Sequence, residues 1–287
     1  MGSPPKRQKR DQMRLRNRNY NSAPLTDEQI QQLAPSAFAG QAYEKQSDRY
    51  AFIPTTEVIS TLRDAGYMPV QASQSSSRIP GKKLFTKHML RFAASNDSLS
   101  VVGDSKLEAV LINSHDGTSA YHLSLGVFRL VCSNGMVVSD SLVESIRVRH
   151  TGNIVQEVLD GTIKMFANID VVRETIRRWQ QIQLTEQEAL AFAESAHSLR
   201  FDEEAHTVEP GRLLEVRRGA DQGNDLWRVT NRIQENLTQG GQRFRYQDEN
   251  HNTRRSRTRQ IKGIDQDTKL NKAIWSLATK MEELKTK

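Results

Sequence analysis

Four side chains in the middle of the chain are of the types that bind metal ions. They are His88, His115, Asp116 and His150. Imidazole and carboxylate groups are ordinary ligands of Zn, Mn or Fe, and a hydrolytic metal ion activates its bound water. If these residues converge in one cleft, they indicate a metal-dependent nuclease or another hydrolase. No two of them have the i, i+4 spacing of a helical metal motif, so we predict no metal, no cofactor and no catalytic residue, and the hydrolase stays an alternative.

Cys132, in FRLVCSNGMVV, is the only cysteine and a candidate nucleophile. If Asn134-Gly135 forms a two-residue hairpin turn, Cys132 lies opposite Val137. Strand alternation then places it on an apolar face with Phe128 and Leu130. A thiol in such surroundings behaves as a small hydrophobic side chain, so we predict a structural role. One cysteine also excludes a multi-cysteine zinc site.

Positive charge is concentrated in two short segments. The chain carries a net charge of +7, but residues 1–18 carry +6 and residues 241–263 carry +5, which leaves −4 for the rest. Such clusters are typical of a binding surface for a polyanion such as nucleic acid. The first segment is equally typical of a solvated terminus or a localisation signal, so its role stays open.

The second basic segment mixes aromatic and basic side chains. The alternation in RFRYQ is suited to stacking bases while phosphates are neutralised. We predict DNA-binding residues here at Arg243, Phe244, Arg245, Tyr246, Arg254, Arg255, Arg257, Arg259 and Lys262.

Further cations lie in the predicted strands. Lys87 and Arg91 share one face of the run 84–94, and Arg129, Arg147 and Arg149 follow in later runs. If these strands are neighbours, one side of the sheet carries a row of cations suited to a phosphate backbone. The same residues are also typical of a solvated sheet face, and both interpretations stay open.

The hydrophobic pattern changes along the chain from period two to a helical period. Short apolar runs separated by turn residues predict one antiparallel meander, with strands at 84–94, 108–114, 120–125, 127–133 and 136–139. A helix over TTEVISTLRDAGY, with Val58, Ile59 and Leu62 on one face, precedes them. Helical periodicity begins at Ile154, Thr185 opens a capping box, and a further helix around 224–238 stops at Gly240 and Gly241. The expected fold is α+β, a curved antiparallel sheet preceded by a helix and followed by a helical C-terminal half.

These patterns divide the chain into five parts. Residues 1–49 are a basic, largely disordered arm and linker in which Thr26 caps a short helix, and residues 50–153 are the sheet core. Residues 154–240 are a helical part, residues 241–263 a basic loop, and residues 264–287 an amphipathic helix. Its apolar seam packs on the parent domain or on a partner, and consists of Leu270, Ile274, Leu277, Met281 and Leu284.

Some classes of protein lack support in the sequence. No apolar run is long enough to span a membrane and the N-terminus lacks a secretory signal, so we expect a cytoplasmic protein. There is no phosphate loop of the GxxxxGKS type and no dinucleotide fingerprint.

Several strings resemble the phage- and plasmid-borne family called domain of unknown function 932. They are TKHMLR, INSHDGTSAYHL, FRLVCSNGMVV, RHTGN, DLWRVTNRIQENLTQGG and DTKLNKAIW. The resemblance covers most of residues 20–280 and implies a bacterial mobile element, a prophage or a plasmid, without implying a mechanism. Residues before 13 have no counterpart in the family, so their positive charge is weaker evidence for binding a polyanion.

The main hypothesis is a non-enzymatic DNA-binding protein that acts in recombination or replication. The order of elements is similar in outline to single-strand annealing proteins of the Rad-fifty-two type. That likeness implies single-stranded DNA as the partner and a homo-oligomer, a ring or a filament. The alternatives are the hydrolase and a protein-binding factor that counters a host defence system through the seam.

Overall fold

The computed structural model describes residues 23–43, 52–95, 101–102, 105–129, 135–148, 153–201, 208–247 and 252–286. Cys132, Arg149 and His150 lie outside these residues, as does the N-terminal basic segment. The chain forms two compact units that divide between Asp170 and Val171. None of the described helices is long and apolar enough to cross a membrane.

The first unit is built on an antiparallel sheet. Its described strands are β1 (Tyr67–Gln74), β2 (His88–Ala94), β3 (Val101–Val102), β4 (Ser105–Asn113), β5 (Tyr121–Arg129), β6 (Gly135–Val137) and β7 (Ile146–Val148). The order is β1-β2-β4-β5-β6, with β3 paired to β4 and β7 paired to β5. The predicted α+β fold with one antiparallel sheet is therefore confirmed.

Three helices accompany this sheet, namely α1 (Asp27–Leu33), α2 (Thr55–Asp64) and α3 (Ile154–Ala167). Period-two alternation brings Leu90, Leu111 and Leu123 into one row across β2, β4 and β5. This row is fully buried and belongs to the same core cluster as Val58, Ile59 and Leu62, the predicted apolar stripe of α2. The helix α3 ends before the boundary at Asp170 and so belongs to the first unit, whereas the division drawn from the sequence placed it in the helical part, residues 154–240.

Residues 23–43 are part of the core and do not form a linker. Thr26 caps α1 through a reciprocal capping box with Gln29, as predicted. The apolar side chains that follow are buried in the main cluster, among them Leu25, Ile30 and Leu33. The sequence of this segment is short and mostly polar, so it gave no indication that its few apolar side chains are buried.

The hairpin around the cysteine differs from the prediction. One continuous strand, β5, runs through the break that was predicted between the runs 120–125 and 127–133. Val137 lies opposite Gly126 and not opposite Cys132. Gly135 lies in β6 opposite Phe128, so the turn is not at Asn134-Gly135. The reason is steric: a Cβ on Gly135 would lie 1.7 Å from the Phe128 ring, and one on Gly126 would lie 2.4 Å from it. Both glycines are needed to make room for that ring.

The second unit contains helices α4 (Ile169–Gln181), α5 (Glu186–His197), α6 (Leu226–Gln239) and α7 (Ile264–Lys285). Asn168 separates α3 from α4, so the long periodic stretch from Ile154 is two helices. The predicted capping box at Thr185 is present, with Glu188 as its partner. The predicted basic loop forms a hairpin of β8 (Arg243–Gln247) and β9 (Thr253–Arg257), because its alternating residues pair in register.

Three tryptophans form the centre of the second unit. Trp179, Trp227 and Trp275 come from α4, α6 and α7, and their ring centroids lie 4.7 to 6.3 Å apart. Leu270 and Ile274, the first residues of the predicted seam, are buried. The seam therefore packs mainly within its own unit. The chain has no other tryptophan, so tryptophan fluorescence reports on this unit alone.

The sheet face opposite the leucine row carries a buried ion pair. The Nε of Arg91 donates to Glu108 Oε2 at 2.6 Å, and the Arg91 guanidinium lies 3.5 Å from the Phe128 ring centroid. The two charged side chains are 8% and 0% exposed. Arg91 is therefore not the solvent-facing cation that the alternation indicated, because Glu108 neutralises it within the sheet.

Replacing Arg91 with methionine leaves the Glu108 carboxylate buried without its countercharge. We expect the free energy of unfolding to fall by about 3–5 kcal/mol, and the double variant Arg91→Met/Glu108→Leu to recover most of that loss. Urea unfolding followed by far-UV circular dichroism measures both. Arg147→Met, at an exposed arginine of the same sheet, is the control and should change stability by less than about 0.5 kcal/mol. A double variant less stable than the single one would contradict this account.

Candidate nucleic-acid interface

The β8–β9 hairpin collects four arginines on one face. In its register Arg243 lies opposite Arg257, and Arg245 lies opposite Arg255. Residues directly opposite in an antiparallel pair share a face, as do residues two apart in one strand. All four arginines are exposed. We call them the arginine face.

Two like charges directly opposite each other destabilise a strand pair. Among the described residues, no ion pair involves Arg243, Arg255 or Arg257. Of the described acidic residues, Glu209 lines the same groove as these arginines, and it is exposed. In the part of the second unit that the structure describes, Arg243, Arg255 and Arg257 therefore keep positive charge that no ion pair neutralises, whereas Arg245 has an interaction partner.

The other face of the hairpin carries the aromatic residues. Phe244 lies opposite Ser256, and Tyr246 lies opposite Arg254. The two aromatic rings are 6.0 Å apart, and Tyr246 is 41% exposed. Because strand alternation separates them from the four arginines, the phosphate contacts and base stacking expected from RFRYQ belong to opposite faces.

A groove of about 770 Å³ runs along the hairpin, and Phe244 and Ser256 line it together with the four arginines. Outside the hairpin, Glu209 and Arg212 line it. Arg212 belongs to a short 3-10 helix, Pro210–Leu214, and pairs with Glu215 at 3.1 Å. The hairpin forms one wall of this groove and the segment that begins at Glu209 forms the other.

One buried amide joins the two walls. The Nδ2 of Asn236, in α6, donates to the backbone oxygens of Leu213 and Glu215 at 3.0 and 2.9 Å. Its Oδ1 accepts from Arg217 Nε at 2.5 Å and from Gln242 Nε2 at 2.6 Å. These four bonds use every donor and acceptor position of the amide. Gln242 immediately precedes β8, so Asn236 connects the base of the hairpin to the opposite wall.

The hairpin is also held by its backbone ends. The N–H of Gly241 donates to Thr258 O at 2.8 Å, and the N–H of Thr258 donates to Gln242 O at 2.9 Å. Gly240, which ends α6, has φ +65° and ψ −149°, and its carbonyl accepts from Arg217. A chain that leaves α6 in this conformation enters β8 directly.

The other predicted DNA contacts are scattered. Arg259 and Lys262 are exposed and lie between the hairpin and α7, with Arg200 donating to the Arg259 carbonyl. In the first unit, Lys87 is half-buried, and Arg147 is exposed on β7 opposite His122. Position 129 pairs with Ser105, but the Arg129 side chain lies outside the described residues. The described part of the sheet thus brings no row of free cations together.

The two described histidines of the hydrolase hypothesis do converge, but around a hydroxyl group. Thr55 Oγ1 lies 3.1 Å from His88 Nε2, 3.0 Å from His115 Nε2 and 3.3 Å from Asn113 Nδ2. A hydroxyl has one proton and two lone pairs. The Asn113 amide donates to one lone pair, and the proton and the other lone pair are left for the two imidazoles and the Tyr121 hydroxyl, which lies 3.3 Å away. The cluster is buried.

Asp116 faces away from this cluster. Burial alone would raise its pKa, but hydrogen bonds from Thr118, Ser114 and Lys82 together lower the pKa of the carboxyl group. Thr118 donates through both its N–H and its hydroxyl, as in the turn that the sequence suggested. Among the described residues no three metal-binding side chains converge.

A family model described as "Domain of unknown function (DUF932)" matches residues 42–275. The chain belongs to this family. The resemblance drawn from the sequence strings is thereby confirmed.

Two proteins of Escherichia coli (strain K12) are similar to this DUF932 chain. UPF0380 protein YafZ is 39% identical over 255 residues, which covers 89% of the chain and 90% of that protein. UPF0380 protein YfjQ is 38% identical over the same shares of both chains. No solved structure matches the chain. These names specify no activity, so the function is argued from the geometry of the DUF932 chain.

Sequence reasoning missed the residues that position the hairpin in this DUF932 chain. Asn236 and Gln242 are buried polar residues, and Arg212 lies outside the basic cluster. The only available signal was the predicted helix stop at Gly240, which marks where the chain turns towards β8. Nothing local distinguishes Asn236 from a solvated asparagine.

Gly240→Ala tests the anchor of the hairpin. The backbone conformation is one that only glycine adopts readily, and an added Cβ would lie 2.6 Å from the backbone C and O of Arg259. We expect the free energy of unfolding of the second unit to fall by about 1–3 kcal/mol, measured by tryptophan fluorescence in urea. Gly219→Ala, where no atom lies within 4 Å, is the control. Equal stability of the two variants would refute the constraint.

Thr55→Val tests the histidine cluster. The change keeps the side-chain shape but leaves three buried nitrogens without this partner, so we expect a loss of about 2–3 kcal/mol in unfolding free energy. Far-UV circular dichroism in urea measures it. Thr56→Val, at the half-buried neighbour, should be close to neutral, and a Thr55 variant as stable as the parent chain would mean that its hydroxyl is not the centre of the cluster.

Proposed function

We propose that this protein binds DNA through the arginine face of its β8–β9 hairpin and does not cleave it. The observation that carries the proposal is that arginines face each other across the two strands: Arg243 lies opposite Arg257, and Arg245 lies opposite Arg255. Such an arrangement costs stability in the free protein. A polyanion placed over the four guanidinium groups removes that cost.

The chemistry of the arginine face suits phosphodiester groups. A guanidinium group stays charged at all physiological pH values and can give two parallel hydrogen bonds to one phosphate. Contacts of this kind position a protein on the backbone without reading base sequence. The proposed binding is therefore tolerant of sequence and strongly weakened by salt.

The charge distribution supports the same ligand. Residues 241–263 carry +5, whereas the chain outside the two basic segments carries −4. A polyanion is therefore attracted to the hairpin and repelled by the average remaining surface.

The geometry supports the two alternatives less well. For a hydrolase, His88 and His115 are bonded to Thr55, and Asp116 is bonded to Thr118 and paired with Lys82. For a protein-binding factor, the seam of α7 has Leu270 and Ile274 buried in its own unit, and Leu284 is its most exposed member at 62%. DNA binding needs no rearrangement of these residues.

We extend the proposal to the setting that the family resemblance implies, a bacterial prophage or plasmid. A protein that holds the DNA backbone without reading sequence suits recombination or replication. Strand annealing by a ring or filament of identical copies is the specific form we propose.

The test is the binding of fluorescently labelled DNA, single-stranded and duplex, to the full chain across a salt series. We expect binding to at least one form, and Arg243→Ala/Arg257→Ala to reduce the magnitude of the salt slope by about one per arginine. The control Arg177→Ala/Lys280→Ala removes two exposed positive charges from helices of the same unit. Absence of salt-dependent binding to both forms, or equal loss in the control, would overturn the proposal.

A further inference from the structure

We infer that the groove along the arginine face admits one phosphodiester backbone, so that its ligand is single-stranded DNA and not a duplex. This inference rests on the proposed function and specifies the ligand of that same site. It is carried by the size of the arginine face, by the second wall of the groove, and by the amide that fixes the distance between the walls.

The arginine face is too small to contact both strands of a duplex. Paired strands lie about 4.8 Å apart, and residues two apart in a strand are separated by about 6.8 Å. The Cα atoms of Arg243, Arg245, Arg255 and Arg257 therefore fall within a rectangle of about 5 by 7 Å. The major groove of B-DNA alone separates its two backbones by about 12 Å. The four guanidinium groups thus converge on a short stretch of one backbone.

The second wall stands where a duplex would have to lie. A two-stranded ribbon reads duplex DNA by entering the major groove with one face against the bases. Here Glu209 and Arg212 line the same groove as the four arginines. The exposed Glu209 carboxylate also repels a second phosphate backbone. A single strand can pass between these walls.

The separation of the walls is fixed by Asn236. Its amide bonds Leu213 and Glu215 on one side and Gln242 on the other, and the residue is 0% exposed. Opening the groove for a wider ligand would break these buried hydrogen bonds. Sites whose supporting residues are locked in this way select ligands by shape.

The aromatic face adds an interaction that only a flexible strand can use. Tyr246 is 41% exposed and lies on the face opposite the arginines. A single strand held by Arg245 can bend around the edge of β8 and stack a base on Tyr246. Duplex DNA has a persistence length of about 150 base pairs, so bending it around one β-ribbon costs much more free energy than bending a single strand.

The experiment compares a labelled 20-nucleotide oligothymidine with a blunt-ended 20-base-pair duplex of mixed sequence, both titrated with the full chain across a salt series. At about 100 mM salt we expect at least tenfold tighter binding of the single strand. Arg245→Ala/Arg255→Ala should reduce the magnitude of its salt slope by about 1.4, which is about 0.7 for each phosphate that is no longer neutralised. Arg177→Ala/Lys280→Ala, which removes two exposed positive charges from helices of the same unit, is the matched control and should leave the slope within about 0.3 of the parent value.

The outcomes separate this inference from the proposed function. If the duplex binds as tightly as the single strand and Arg245→Ala/Arg255→Ala weakens both, DNA binding stands and the single-strand inference is overturned. If Arg177→Ala/Lys280→Ala changes the slope as much as Arg245→Ala/Arg255→Ala does, the assignment of the arginine face is overturned. If neither form binds in a salt-dependent way, the proposed function itself fails.

Discussion

Four arginines can face one another across a two-stranded hairpin only because the base of that hairpin is bonded to the rest of its unit. An isolated hairpin is marginally stable in water, and opposed like charges weaken it further. Here Asn236 holds Gln242, and Thr258 exchanges backbone hydrogen bonds with Gly241 and Gln242. The helices around the three tryptophans supply the stability that the hairpin lacks. The hairpin is thereby held in place despite the repulsion between its arginines.

The first unit uses its polar residues differently. Arg91 and Glu108 neutralise each other beneath Phe128, and His88 and His115 share the Thr55 hydroxyl. Groups of these types take part in catalysis when they line an open cleft, but here they are buried and bonded to other side chains of the first unit. Their effect is to specify the register of β2 against β4 and the position of α2 on the sheet. Residues that were candidates for chemistry or for ligand binding in the sequence therefore form buried networks within the first unit.

Much of the fold was predictable because it depends on neighbours close in sequence. Capping at Thr26 and Thr185, the stripe of α2 and the stop at Gly240 follow from residues within one or two helical turns. The β5–β6 register was not predictable from Asn134-Gly135, since it depends on where the Phe128 ring lies. That the basic loop binds DNA stays a prediction, and its pairing into a hairpin was not predictable because it depends on cross-strand register.

The sequence by itself determined where charge is concentrated, which residues alternate, and that the fold is α+β. Only the tertiary structure decided which polar residues are buried and which are exposed on the hairpin. Arg91 meets Glu108 across 17 residues, and Thr55 meets His115 across 60. Asn236 likewise bonds a residue distant in sequence, Leu213, as well as Gln242 at the base of the hairpin. Local patterns cannot specify such partners, because the free energy of a polar side chain depends on the groups that remain near it after water is removed.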